Sequence, residues 1–234
     1  MIINIRKEDA VFAFIQARYN SQRLPGKVLK YLGEKPLLSW TVDRAKQINP
    51  NVRVVVITGD ISDNTPIINY CKEQNIEYFQ GSEDNVLNRF RKAADFFKAK
   101  TVIRLTADNP LIDYKSARAL LGIHLIEKSD YSSNKSEVNS GMPVGIGVEI
   151  FSMETLIRLD EMKLNNSYRE HVNDYILDHQ EQFLSYWVCI STNYSDNSFT
   201  IDTPDDYNRL YECINNRLPE EVNKSNYWRQ IAEK

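Results

Sequence analysis

Three cations, Arg18, Arg23 and Lys27, fall within ten residues of a chain whose overall charge is −3. They sit in the run Ala17-Arg18-Tyr19-Asn20-Ser21-Gln22-Arg23-Leu24-Pro25-Gly26-Lys27. Arginine offers a planar two-pronged donor and lysine a compact charge, and both suit phosphate oxygens. Ser21, Gly26 and free backbone N–H groups would add an anion nest. The chemistry this points to is polyphosphate binding; a solvated basic loop is the bland alternative. Two carboxylates complement the cluster. Asp108 lies in Leu105-Thr106-Ala107-Asp108-Asn109-Pro110, and Asp202 in Phe199-Thr200-Ile201-Asp202-Thr203-Pro204. Magnesium commonly takes one or two carboxylates and completes its shell with substrate phosphates and water. The competing readings are a turn cap for Asp108 and a helix cap for Asp202. Asp205 and Asp206 suit the first turn of a helix and read as caps.

Other polar positions are candidates for the rest of a substrate. Ser82, Asp84 and Asn85 open a helix, where they either cap it or touch a nucleotide. Arg104 and Arg169 are cations available to an anionic acceptor, with a surface ion pair the alternative for Arg169. Asn134 and Glu149 flank a polar segment and join the acceptor-side candidates. His171 is a candidate general base. Two familiar phosphate motifs are missing. Gly26-Lys27-Val28 lacks the upstream glycine and the Ser/Thr of a P-loop. The first turn carries no GxGxxG, which disfavours NAD or FAD.

These residues need elements to hold them. Ala10–Ala17, Val52–Thr58, Ile76–Phe79 and Thr101–Ala107 read as buried strands. Leu37–Ile48, Thr65–Gln74, Glu83–Ala99 and Asp113–Lys128 carry apolar residues at helical spacing. Regular βα alternation argues a three-layer α/β/α sheet of parallel strands, with ligands at the carboxyl ends. The basic run follows the first strand and Asp108 follows the fourth, so both fall at that edge. Beyond residue 128 the pattern changes. Ser129–Gly147 is rich in Ser, Asn and Gly and reads as an extended arm or hairpin. Val148–Phe151, Phe183–Ile190 and Ser198–Ile201 read as strands. Ser152–Met162, Tyr168–Asp178, Pro204–Asn216 and Pro219–Glu233 read as helices. A single domain over 1–234, with 129–165 as an inserted arm, is expected.

The composition fits a folded protein in the cytoplasm. Hydrophobic residues make up 42% and charged residues 26% of 234, which excludes a disordered chain. No apolar run approaches the ~18 residues of a membrane span, and the N-terminal stretch lacks a signal-peptide pattern. Cys71, Cys189 and Cys213 are an odd count without a CxxC, so neither a disulfide framework nor a zinc site is expected. No basic stripe or aromatic platform suggests nucleic acid as a partner.

The run from Gln16 to Leu29 resembles the opening signature of the cytidylyltransferases, the acylneuraminate and 3-deoxy-manno-octulosonate enzymes among them. It is closest to their spore-coat-polysaccharide-F-like branch. Gly81–Leu87, Thr106–Asp113, Arg169–Val172 and Ile201–Asp206 resemble that branch in the same order. The resemblance implies a Rossmann-like nucleotidyltransferase fold and Mg²⁺-dependent transfer of CMP from CTP to an acidic sugar, with pyrophosphate released. It implies that Arg18, Arg23 and Lys27 hold the triphosphate and that Asp108 and Asp202 hold the metal. Ala17, Ser21, Ser82, Asp84 and Asn85 complete the nucleotide side. A homodimer, with the arm reaching the partner and lying near the acceptor, is also implied. One departure stands out. Many members of the branch read Pro-Asp-Gly-Leu-Asp-Val-Glu where this chain has Pro143-Val144-Gly145-Ile146-Gly147-Val148-Glu149, so two carboxylates are missing. That puts the acceptor's identity in question; a phosphonate or sugar phosphate is the alternative. A glycosyltransferase or a non-catalytic nucleotide-binding protein fits the clustered cations and the paired acids less well.

Overall fold

The computed structural model describes residues 5–215, 217 and 219–233; Met1–Asn4, Asn216, Leu218 and Lys234, which fall in segments read above, lie outside it. A seven-stranded sheet runs in the order β5-β4-β1-β6-β8-β7-β9. Its strands are β1 (Val11–Gln16), β4 (Arg53–Gly59), β5 (Glu77–Gly81), β6 (Thr101–Thr106), β7 (Tyr131–Ser133), β8 (Glu149–Ser152) and β9 (Ser185–Trp187). The four expected βα strands pair in parallel, while β8 runs antiparallel to both β6 and β7. A two-stranded hairpin, β2 (Tyr31–Leu32) and β3 (Lys35–Pro36), follows the basic loop.

Side chains of β1 alternate between two cores, as a pleated strand requires. Ala13 and Ile15 point to one face, where α1 (Leu37–Lys46), α2 (Thr65–Glu73) and α4 (Tyr114–Glu127) lay down Leu38, Val42, Ile67 and Leu121. Phe12 and Phe14 point to the other, against α3 (Val86–Phe97), α5 (Met153–Glu161) and α7 (Asp174–Asp178). There Phe90, Leu156 and Ile176 are fully buried. Each such side chain stabilises by roughly 1.5–3 kcal/mol relative to exposure. A third core joins the β2–β3 hairpin to the C-terminal helices α8 (Pro204–Asn215), α9 (Pro219–Val222) and α10 (Tyr227–Ala232) through Leu32, Trp40, Leu210 and Trp228. Trp228 also donates to Asp113, the N-cap of α4, at 3.1 Å.

Several sequence expectations change here. Residues 129–165, expected as an inserted arm, supply β7, β8 and α5, and β7 lies inside the sheet between β8 and β9. The polarity of Tyr131-Ser132-Ser133-Asn134 concealed this, since all four are fully buried. Their polar atoms find partners in the fold; the Ser132 hydroxyl, for example, lies 3.0 Å from Nδ1 of His124. The helix expected over Tyr168–Asp178 is two short ones, α6 (Asn166–Glu170) and α7, separated at His171–Asn173. Pro219–Glu233 is likewise split into α9 and α10. Ser198–Ile201 is not a full strand. It makes one isolated bridge, Val144 to Ser198.

Candidate active site

The face of the sheet that carries Phe12 and Phe14 turns polar at its carboxyl edge. Continuing the alternation, β1 presents Gln16 and β6 presents Arg104 and Thr106 after Val102. These residues line a cavity of about 540 Å³ with Arg18, Lys27, Asp84, Asn85, Arg89 and Asp108. That size falls within the range of small-molecule sites, at the edge where open α/β sheets bind ligands.

The basic loop folds back at Gly26, whose φ of +66° places it in the left-handed region. Its N–H donates to the carbonyl of Tyr19 at 2.9 Å, and a Cβ there would lie 3.2 Å from the Tyr19 ring. This turn delivers Lys27 inward. Its Nζ donates to Asp108 Oδ2 at 2.8 Å, Asp202 Oδ1 at 2.7 Å and the Ile201 carbonyl at 2.9 Å. Three donors meet three acceptors, which permits an ammonium only 7% exposed. The two carboxylates are distant in sequence but joined through the backbone, because Ile201 N–H donates to the Asp108 carbonyl at 3.0 Å. Asp202 is oriented from below by a capping box. Thr203 Oγ1 accepts from Asp206 N–H, and the Asp206 carboxylate accepts from the N–H groups of Thr203 and Asp202. Asp206 is thus the cap expected of it, and it titrates below the usual carboxylate range because these hydrogen bonds outweigh its burial. Arg23 reaches Asp202 at 3.0 Å from an exposed position.

The opposite wall is the loop before α3. Asn85 caps that helix by accepting from Asn88 N–H, and Ser82 Oγ accepts from Asn85 N–H, each at 3.0 Å. Capping therefore describes Ser82, while Asp84 and Asn85 also line the cavity. Beneath the loop lies Arg89. It is 3% exposed and donates to the carbonyls of Ser82 and Glu83 at 2.6 and 3.1 Å. Its Nε has no partner among the described atoms. Burial, with Arg104 and Arg18 adding repulsion, pushes its guanidinium down to about 10, which leaves it charged at neutral pH. The third wall is α6 with His171. Arg169 lines the cavity there but is already paired with Asp160 at 3.2 Å.

The structure brings Ala17, Arg18, Lys27, Asp84, Asn85, Arg104, Asp108 and Arg169 to this cavity, with Arg23 and Asp202 joined to it through Lys27 and each other. It does not bring Ser21, Ser82, Asn134 or Glu149 to the lining. Asn134 is fully buried; it accepts from Val148 N–H at 2.7 Å and donates to Ser116 at 2.9 Å. Glu149 is 2% exposed and bound to Arg104 behind the cavity. The positions that lack acids, Val144 and Gly147, are also outside the lining. Sequence reasoning missed Arg89, Gln16 and Asn166. Arg89 had a legible signal: it interrupts the apolar stripe Val86, Phe90, Ala93 with a charge, and a charge at a core position needs a reason.

The cation cluster, the convergent acid pair and the strand-end cavity agree with the comparisons. A family model described as cytidylyltransferase matches residues 12–223. The chain belongs to the cytidylyltransferase family. The spore coat polysaccharide biosynthesis protein SpsF of Bacillus subtilis is 32% identical over 86% of this chain and 85% of its own. A 3-deoxy-manno-octulosonate cytidylyltransferase of Anaeromyxobacter is 31% identical over 48% of this chain and 46% of its own. The solved structure of a cytidylyltransferase from Leptospira borgpetersenii superposes with a TM-score of 0.89 at 27% identity, covering 96% of this chain and 94% of that one. The fold is therefore the Rossmann-like α/β nucleotidyltransferase fold. The donor set suits the metal that such a cytidylyltransferase is expected to use. Two hard carboxylates already converge on one cation, the Lys27 ammonium, at 2.7–2.8 Å. Among the described residues no third His, Cys, Asp or Glu joins them, so phosphates and water would complete a magnesium shell.

Proposed function

We propose that this cytidylyltransferase transfers CMP from CTP to a small acidic sugar of the ulosonic class, with Mg²⁺ and release of pyrophosphate. The observation that carries the reading is one cavity lined by Lys27 and Asp108 and also by Arg104. Lys27 and Asp108, with Asp202 and Arg23 joined to them, suit a metal-bound triphosphate. Arg104, whose side chain is 9% exposed, suits an acceptor's anion. The names of the SpsF and 3-deoxy-manno-octulosonate relatives support the same class of chemistry. Asp108 and Asp202 would hold Mg²⁺, which when bound neutralises charge on the triphosphate. Arg18, Arg23 and Lys27 bind the phosphates and stabilise negative charge on the departing pyrophosphate. Asp84 and Asn85 face the nucleoside. An acceptor hydroxyl oxygen attacks the α-phosphorus as the bond to the bridging oxygen breaks, and His171, which lines the same cavity, takes its proton. The work is mainly positioning and charge stabilisation.

We place the enzyme in the cytoplasm, in surface polysaccharide synthesis, as a homodimer. Its three free cysteines support the compartment, and among the described residues no helix is long and apolar enough to cross a membrane. Edge strand β9, with exposed Leu184 beside it, offers surface for a second copy. Incubation with CTP, Mg²⁺ and a panel of ulosonic acids, phosphonates and sugar phosphates, followed by ³¹P NMR, tests the acceptor. A CMP phosphodiester formed with an ulosonic acid supports the reading; a product formed only with a phosphonate or phosphate overturns the acceptor class.

A further inference from the structure

Behind the cavity lies a network of charges that triphosphate binding does not require. Glu149, on β8, is fully enclosed, and its carboxylate accepts from Arg104 at 2.6 Å, Lys135 at 3.2 Å and the Tyr131 hydroxyl at 2.9 Å. Lys135 continues to Glu137 at 2.9 Å, and Glu137 accepts from Asn173 at 2.9 Å. Asn173 follows the His171 wall. The network therefore spans from the cavity floor to the segment that closes its side.

We infer that Glu149 is a positioning residue, which fixes the Arg104 guanidinium on the cavity floor as the cation that receives the acceptor's anionic group. This rests on the transfer reading above and assigns its acceptor end. Three observations support it. Arg104 lies within β6, while Asp108 lies past the end of that strand, in the turn where Asn109 N–H donates to the Thr106 carbonyl at 3.1 Å. Both line the cavity, but Asp108 is paired with Lys27 and Arg104 with Glu149, so the two belong to separate charge clusters. The guanidinium is held on several sides: Glu149 takes one Nη, Gln16 lies 3.4 Å from the other, and Phe90 sits 5.7 Å from its centre. Its Nε is buried without a partner among the described atoms, so the group is locked by packing and not by a full set of protein acceptors. Glu149 stays ionised: burial opposes its charge, but Lys135 and Arg104 outweigh that and hold the carboxyl below its usual range. An arginine held this way loses little freedom when it meets a carboxylate, which is the gain expected from a preorganised site.

The test follows Arg104 directly. In the wild type its guanidinium NMR signals should be resolved, reporting blocked rotation. In Glu149→Gln they should average, and Glu149→Asp should recover part of the restriction. In steady state with CTP and 3-deoxy-manno-octulosonate, Glu149→Gln should raise KM for the sugar acid at least tenfold and change KM for CTP less than twofold. Arg104→Lys should match it, and the double variant should be no worse than either single one. Unchanged Arg104 signals in both Glu149 variants, or parallel rises of both KM values, would overturn the inference. If the wild type binds CTP but does not consume this sugar acid, the acceptor reading fails; the Arg104 signals then still decide whether Glu149 positions it. Should Glu149→Gln not fold, Glu149→Asp and Tyr131→Phe carry the same two readouts.

Discussion

At the residue scale, Lys27 is the most informative side chain. A buried ammonium between two carboxylates means that Asp108, Asp202 and Lys27 act as one unit, and removing Lys27 leaves two facing carboxylates with Arg23 as their remaining partner cation. Asp108→Ala should lower pyrophosphate release by about 10²–10³ or more, by analogy with other electrostatic stabilisers. Circular dichroism should remain that of the wild type. Near-normal release would remove Asp108 from the metal-binding role. Arg89→Met tests a different residue. It takes away the donors that hold the Ser82 and Glu83 carbonyls, so CTP affinity measured by calorimetry should fall about tenfold, each lost charged hydrogen bond being worth roughly 1.5–3 kcal/mol. Unchanged affinity would make Arg89 irrelevant to the loop. The basic run and both acids were legible because each follows a recognisable strand or turn signal. Their actual coordination was not, since the Ile201–Asp108 backbone contact that unites them is set by tertiary packing. Glu149 and Asn134 were read as cavity residues because they are polar; the fold instead uses their polarity inside the protein.

At the element scale, the βα half could be read from periodicity, and its strands and helices shift only at their ends. The segment after residue 128 could not. Its strands are short and polar, and their burial is made tolerable by partners elsewhere in the chain, which no local pattern records. The same segment bears on the acid missing at Gly147. A Cβ at Gly147 would lie 2.5 Å from the Asn134 carbonyl oxygen, so a side chain such as aspartate would meet backbone there. Gly147→Asp should destabilise by about 1–3 kcal/mol in urea denaturation from overpacking alone. Val144 is 41% exposed, and Val144→Asp should leave the midpoint nearly unchanged. Equal tolerance of both substitutions would show that this chain has no local reason to lack the acid at 147.

At the scale of the whole molecule, the β7 region is coupled to stability through His124. Burial pushes its imidazole from the ordinary 6.5 down to about 4, against the opposing pull of Asp130. The folded state thus keeps it neutral where the unfolded chain takes up a proton. Stability should be complete above pH 6.5 and fall as pH drops through that value, levelling near pH 4. The loss from this group is about 3 kcal/mol at most. His124→Gln should flatten that part of the profile in urea titrations; an unaltered slope would assign the loss elsewhere. The most direct measurement of what the cavity does as a unit is pyrophosphate release with Mg²⁺, each of the four nucleoside triphosphates in turn, and a mixed pool of ulosonic acids. Release with CTP alone, and only when the pool is present, is the expected result. Release that prefers another triphosphate, or a protein that neither binds nor turns over CTP, would contradict it.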